Sequence, residues 1–358
     1  MSQISALNLD LVKDQIKQFA SELGFQACSF SVPDVSVYAD LHKQHIDSGY
    51  HGTMLWLENN QHVRYDPRLL VDGVKTIVSV RMNYRPDSVT RMRELLSQPD
   101  KAYVARYALG RDYHKVMRNK LQTLGEKINT ELEATRFRAF VDSAPVLERE
   151  LAEQSGLGWI GKNTLLLNEQ AGSWFFLGEL FLTLELPPDP SVSGKHCGSC
   201  QQCLTECPTG AFVGAGVLDA RKCISYLTIE HDGTIPESLR PLMGNRIYGC
   251  DDCQIVCPFT KFSQLTEELD YQSRHALDEP SLADLWHWNE QQFLDRMQGS
   301  PIRRIGYEKW TRNLAVAIGN SGEWGWVDML LQKLGEVSPM VDEHIDWAAG
   351  RLRQQQPD

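Results

Sequence analysis

Cysteine dominates the residues of this chain that could do chemistry, and its spacing is regular. From Cys197 to Pro258 the sequence reads Cys197-x-x-Cys200-x-x-Cys203-x-x-x-Cys207-Pro208, then Cys223, then Cys250-x-x-Cys253-x-x-x-Cys257-Pro258. Eight of the nine cysteines fall in this stretch, and only Cys28 lies outside it. An iron–sulfide cube needs four soft thiolates converging from different directions, and two-residue gaps let successive backbone turns wrap three corners. In two-cluster ferredoxins the cysteine followed by proline ligates the other cluster. That rule assigns Cys197, Cys200, Cys203 and Cys257 to one 4Fe–4S cluster, and Cys207, Cys223, Cys250 and Cys253 to a second. Structural zinc would favour two Cys-x-x-Cys pairs. Disulfides suit an oxidising compartment and are disfavoured by such close spacing. Cys28, in the alternating run Phe25 to Phe30, reads as a buried structural thiol.

The elements that must position these thiolates follow from periodicity. Leu9, Val12, Ile16, Phe19 and Leu23 recur at helical steps before Gly24, and Met117, Leu121, Leu124, Ile128 and Leu132 mark a second long helix. Strands are expected around Cys28, over Lys75 to Tyr84, and over Arg136 to Asp142. Leu165 to Leu167 and Trp174 to Leu186 read as a hairpin around Asn168 to Gly172. Helices and strands alternate, so residues 1–186 are expected to form an α/β or α+β domain. Pro187-Pro188-Asp189-Pro190 opens a ferredoxin-like domain over 187–262. Residues 263–358 carry helical patterns, including Arg312 to Asn320 and His344 to Arg353, which suggest HEAT-like repeats packed on the cluster domain. Overall the expected class is α+β.

The chain has 358 residues and a formal net charge of −11, which argues against indiscriminate nucleic-acid binding but leaves room for a local basic patch. The N-terminal residues show no secretory pattern or twin arginine, and no stretch is apolar enough for a membrane span. A cytoplasmic protein is expected. Gly156-x-Gly158-x-x-Gly161 has the glycine spacing of a dinucleotide fingerprint but lacks the strand-to-helix setting.

Several strings together resemble the epoxyqueuosine reductase family: Ala105 to His114, Val141 to Arg149, Gly158 to Thr164, Gly172-Ser173-Trp174, and the cysteine layout. The resemblance implies a cobalamin-dependent enzyme with two 4Fe–4S clusters that reduces epoxyqueuosine in the tRNA anticodon loop to queuosine. It further implies a corrinoid bound base-off between the N-terminal and cluster domains. An external low-potential electron donor is expected, and so is a monomer, since no seam for self-association stands out. The Asp-x-His-x-x-Gly pattern that supplies a lower cobalt ligand is missing, since Asp40-Leu41-His42 and Asp112-Tyr113-His114 lack the glycine. A reductive dehalogenase combines the same cofactors but carries a twin-arginine signal and lacks the helical C-terminus. A plain electron carrier, or a tRNA-binding protein with structural clusters, are the rivals from other classes.

Asp142 fills the position of the family's proton donor, which requires burial to raise its pKa. Asp142-Ser143-Ala144-Pro145 is equally a good helix-capping string. By the same resemblance Arg64, Arg106, Tyr107, Lys162, Asn163, Ser173 and Trp174 are candidate corrinoid contacts, although Trp174 also fits a strand core and Arg64 a surface arginine. Ser225 and Asp252, beside cluster ligands, are candidates that also fit local hydrogen bonding. Arg303, Arg304, Lys309 and Arg312 form the best candidate grip for the tRNA backbone, with Tyr307 or Trp310 available to stack on a base. Such a charge cluster is otherwise a solvated face.

Overall fold

Ten strands organise the computed structural model, which describes residues 9–132, 136–192, 194 and 196–356. They are β1 (Ala27–Ser31), β2 (Thr76–Asn83), β3 (Tyr103–Val104), β4 (Phe137–Phe140), β5 (Trp159–Ile160), β6 (Leu166–Leu167), β7 (Phe175–Leu182), β8 (Phe212–Gly214), β9 (Val217–Leu218) and β10 (Arg246–Tyr248). β-Branched and aromatic runs build a four-stranded sheet in the order β1-β2-β7-β4, every pair antiparallel. One face, with Val78, Val80, Met82, Phe176 and Leu180, packs on the apolar stripes of helices Leu9–Glu22 and Tyr113–Leu132. The other, with Ile77 and Phe181, meets Val146, Leu147 and Leu151 around helix Glu148–Gln154. Full burial of a side chain such as Leu121 or Ile128 contributes about 1.5–3 kcal/mol, so the two stripes hold the helix against the sheet.

Of the expected hairpin between residues 165 and 186 only one antiparallel bridge, Asn168 with Gly172, forms, and no β6–β7 ladder follows it. β6 pairs back onto β5, while β7 pairs with β2 and β4 at the centre of the sheet. Strand partners are chosen by burial: β7 is covered on both faces and needs long-range neighbours that a local turn cannot supply. The glycines of the Gly-x-Gly-x-x-Gly string serve this small β5–β6 unit, for a Cβ on Gly158 would collide with the Leu167 carbonyl.

The cluster region holds the β8–β9 hairpin and two one-turn helices, Gln202–Thr205 and Asp252–Ile255, which pack on each other. Each carries the middle cysteine of a Cys-x-x-Cys-x-x-x-Cys-Pro string, Cys203 in one and Cys253 in the other. Beyond it, helix Gly306–Gly319 packs on Pro339–Arg353, closely enough that a Cβ on Gly319 would press on Ala348. The segments are tied together. β3 pairs in parallel with β10, and Ala102, Val104, Ala108 and Leu109 are core residues of the C-terminal helical layer. Among the described residues no helix is long and apolar enough to cross a membrane.

Candidate active site

The eight clustered cysteines fall into two groups in space. Cys197, Cys200, Cys203 and Cys257 line one cavity of about 260 Å³ together with Lys162, Asn163 and His196. Burial, and then the neighbouring Cys257, Cys197 and Cys200, push the Cys203 thiol up to about 11. Mutual proximity penalises these thiolates unless a cationic body sits among them. Lys162 donates to the carbonyls of Gly198 (2.7 Å) and Cys200 (2.8 Å), which fixes the loop carrying two of the thiols. Among the described residues no three His, Cys, Asp or Glu side chains converge tightly enough for a single ion. Thiols spread around a cavity suit a larger iron–sulfide body.

Cys223, Cys250 and Cys253 form part of the wall of a second, larger cleft of about 510 Å³. Burial raises the Cys223 thiol, and Cys207 is among the charges acting on it. Cys207 itself accepts from the Ala211 backbone N–H at 3.4 Å. Much of the remaining lining is apolar or aromatic, including Met54, Tyr84, Tyr107, Phe175, Phe176 and Tyr226, and it is interrupted by polar and acidic side chains. Asn163 touches both cavities, and its amide reaches the Cys253 carbonyl at 3.5 Å.

Asp142 lines the same cleft as these thiols. It follows β4 with φ +54°, a left-handed conformation that costs a non-glycine residue about 1–2 kcal/mol. Its Oδ2 accepts from the Tyr113 hydroxyl (2.7 Å) and faces His114 Nε2 (2.9 Å), while His114 Nδ1 meets Asp112 Oδ1 (2.7 Å). The side chain is 56 % exposed because the cleft is open, yet protein surrounds it on its other sides. Burial tends to raise its pKa, but the bonds from His114 and Tyr113 and the His114 charge prevail and hold the carboxyl below its ordinary range. The expectation of a burial-raised Asp142 is therefore reversed in this geometry. The raised groups are its neighbours. Burial acts against a charged His114, but the two carboxylates overcome it and raise the imidazole to about 9. Burial and the nearby Asp142 charge push Glu148 up to about 7. The capping expectation for Asp142 also fails, since helix Glu148–Gln154 is preceded by Leu147 with no side-chain cap bond.

The other candidates divide. Tyr107, Asn163, Ser173 and Ser225 line the cleft. Arg64 is buried, donates to the Trp56 carbonyl (3.2 Å) and stacks over that ring. Arg106 is buried against Tyr103 and pairs with Asp87 at 3.2 Å. Trp174 is core, its indole donating to Thr260 Oγ1 at 3.0 Å. Asp252 is engaged by Nε and Nη2 of Arg246 and by Cys250 Sγ (2.8 Å); its neighbour Asp251 is the one that lines the cleft. Arg64, Arg106, Trp174 and Asp252 thus have internal partners in place of a cleft-facing role, because a motif string does not specify which way a side chain turns. Cys28 is half-buried and its thiol is pushed up to about 12 by burial, as suits an inert thiol.

The basic patch is corrected most. Arg312 is fully buried and donates to the carbonyls of Leu227, His231 and Gly233. Lys309 bonds the Ile229 carbonyl and Asp232. Trp310 is core beside Trp288, and Tyr307 donates to the Trp288 carbonyl. The turn following helix Ile224–Ile229 leaves carbonyls that need donors, and these side chains supply them. Arg303 is exposed, and Arg304 pairs with Glu230 at the cleft wall, near enough to act on Asp142. His114, Tyr113, Glu148 and Glu179 are the site residues that sequence reasoning left unassigned. The Asp112-Tyr113-His114 string was a usable signal for two of them.

Residues 64–143 match the family model "Epoxyqueuosine reductase QueG, DUF1730", and residues 196–260 match a "4Fe-4S double cluster binding domain". The chain is 52% identical to an epoxyqueuosine reductase of Pseudomonas aeruginosa, covering 94% of this chain and 93% of the relative. It is 50% identical to that of Escherichia coli over 96% of this chain and 90% of the relative. Its fold is similar to a crystal structure of epoxyqueuosine reductase with an epoxyqueuosine-modified tRNA stem loop, with TM-score 0.88, 28% identity and coverage of 96% and 91%. The enzyme from Streptococcus thermophilus is similar at TM-score 0.85, 27% identity and coverage of 97% and 91%.

Proposed function

We infer that this chain, which belongs to the epoxyqueuosine reductase family, reduces the epoxide of epoxyqueuosine in tRNA to the alkene of queuosine. The observation that carries the reading is one cleft, rich in aromatic side chains, that is lined both by three of the clustered thiols and by Asp142, held by His114 and Tyr113. The reaction takes up two electrons and two protons and releases the epoxide oxygen as water. The chain uses two 4Fe–4S clusters and cobalamin; when bound, the clusters would relay single electrons and the corrinoid would supply a strong reductant for the epoxide.

The residues fit both groups. Two sets of four soft thiols suit two iron–sulfide clusters, and we assign Cys197, Cys200, Cys203 and Cys257 to one and Cys207, Cys223, Cys250 and Cys253 to the other. The apolar walls offered by Tyr84, Tyr107, Phe175 and Phe176, with Asn163, Ser173 and Ser225 as hydrogen-bonding groups, suit a corrinoid ring and its amides. Asp142 presents its carboxyl to the leaving oxygen. His114, charged at neutral pH, holds the proton that Asp142 passes on, and Asp112 fixes the imidazole's orientation. Burial and the Asp142 charge keep the Tyr113 phenol protonated, so it donates to Asp142 throughout. Arg303 and Arg304, on the C-terminal helical layer with its HEAT-like character, would contact tRNA phosphates at the mouth of the cleft.

The test uses protein reconstituted without oxygen. About eight irons per chain, a corrinoid spectrum shifted on binding, and turnover of epoxyqueuosine-containing tRNA are expected. Asp142→Asn should keep iron and corrinoid and lose about 10²–10⁴-fold in kcat. Normal turnover in that variant removes Asp142 from the mechanism, and eight irons without corrinoid binding returns the chain to an electron carrier.

A further inference from the structure

Behind Asp142 lies a pair of carboxyl groups that the reaction itself does not call for. Glu179 sits in the middle of β7, fully buried, with no hydrogen-bonding partner for either carboxylate oxygen when it is ionised. Its strand neighbours are Ser79 on β2 and Phe140 on β4, two residues before Asp142. Glu148, at the start of the helix packed over this face, meets Glu179 carboxyl to carboxyl, and its Oε1 accepts the backbone N–H of Asp142. The charges acting on the pair are mainly acidic: Asp142 on the loop and Glu150 on the helix, with the His114 imidazolium the one cation among them. The nearby arginines are turned elsewhere. Arg149 donates to the Thr164 carbonyl, Arg138 to the Leu70 carbonyl, and Arg81 lies over the Phe175 ring. Two contacting carboxylates in such a place cannot both ionise, so one proton bridges them.

We propose that Glu148 and Glu179, joined by a shared proton, are positioning residues that hold the Asp142 loop in its active conformation. The proton turns a repulsive contact into a hydrogen bond and leaves a Glu148 oxygen free for the Asp142 N–H. That bond ties down a residue whose positive φ would otherwise relax, and with it the alignment of Oδ2 on His114 and Tyr113. Burial raises both groups, Glu148 to about 7 and Glu179 well above its ordinary value, in keeping with a bridging proton. The inference rests on the reading of Asp142 as proton donor.

The experiment compares Glu179→Leu, Glu179→Gln, Glu148→Ala and Glu148→Gln in cluster- and corrinoid-loaded protein, alongside Asp142→Asn. Two readouts are used: kcat and KM for epoxyqueuosine-containing tRNA, and the His114 titration followed by NMR of histidine-labelled protein. Glu179→Leu and Glu148→Ala should lower kcat about 10–100-fold with KM within about twofold of wild type. His114 should also titrate below its wild-type value of about 9, because Asp142 is no longer held against it. Each Gln variant supplies an amide donor in place of the bridging proton and should recover most of the loss. Wild-type kcat and an unchanged His114 titration in Glu148→Ala overturn the proposal. So does a Gln variant no better than its apolar counterpart, a comparison that stands even where Glu179→Leu fails to fold. A shifted His114 titration with full turnover in Asp142→Asn leaves the positioning intact and overturns the reading of Asp142 instead.

Discussion

His114→Gln probes the proton store directly, and its effect can be worked from the geometry. The imidazole touches Asp112 at 2.7 Å and Asp142 at 2.9 Å, and its side chain is 23 % exposed. Burial disfavours the charged ring, but the two carboxylates raise its pKa from 6.5 to about 9. At about 1.4 kcal/mol per pH unit the interval corresponds to about 3 kcal/mol, an upper figure for a group that solvent partly reaches. A folded-state pKa above the unfolded value gives stability that is fully present below about 6.5 and lost as pH rises through about 9. The variant should therefore be destabilised by up to about 3 kcal/mol more at pH 6 than at pH 9.5. Denaturant unfolding followed by fluorescence at the two pH values measures this difference. Turnover should fall about 10²-fold at neutral pH, and the decline of wild-type kcat near pH 9 should vanish from the variant's profile. Equal destabilisation at both pH values, or a His114 resonance titrating near 6.5, refutes the assignment of a charged imidazole behind Asp142.

Cys257→Ser and Cys197→Ser should each deplete the same cluster, leaving about four irons and one set of cluster signals by electron paramagnetic resonance. If Cys257→Ser instead removes the cluster that Cys253→Ser removes, the crossed ligation is wrong. Arg303→Glu with Arg304→Glu should weaken tRNA binding and lower its salt dependence, measured as the slope of log affinity against log salt; an unchanged slope places the grip elsewhere. Arg312→Ala should cost about 3–5 kcal/mol in denaturant unfolding, because three buried carbonyls lose their donor. At a temperature where that variant stays folded, its tRNA affinity should match wild type.

The cysteine groups were legible because metal ligation imposes spacing on the chain itself, and the long helices because a 3.6-residue period is local. Side-chain direction was not. Arg312 and Arg303 carry the same charge nine positions apart, yet one caps the carbonyls after a cluster-domain helix and the other faces solvent. Nothing in the composition distinguishes them, since the difference lies in which carbonyls a distant turn leaves unpaired. The Asp142 surroundings were hidden for a related reason. His114 begins a helix, Asp142 follows a strand, Glu148 begins another helix, and Glu179 lies mid-strand. The β4–β7 pairing, which sets Phe140 opposite Glu179, and the packing of the two helices on that sheet bring them together.

The same consideration explains why the Ala105-Arg106-Tyr107 string belongs with the active site although Arg106 never reaches the cleft. The proposed reaction requires the clustered thiols and Asp142 to keep a fixed separation, and the two come from different parts of the chain. Asp251, between Cys250 and Asp252, is buried and accepts from the Tyr103 hydroxyl and the Arg106 backbone N–H, both at 2.8 Å. Burial, opposed by these bonds, raises it to about 6. β3 and β10 pair directly beside this contact. Arg106 in turn is locked by Asp87 and the Tyr103 ring. A buried carboxylate between two backbone segments tolerates little displacement, because any opening strands a charge without its donors. The arginine that resembled a cofactor contact therefore acts one step back, holding the loop that carries Cys250 in register with the sheet that presents Asp142.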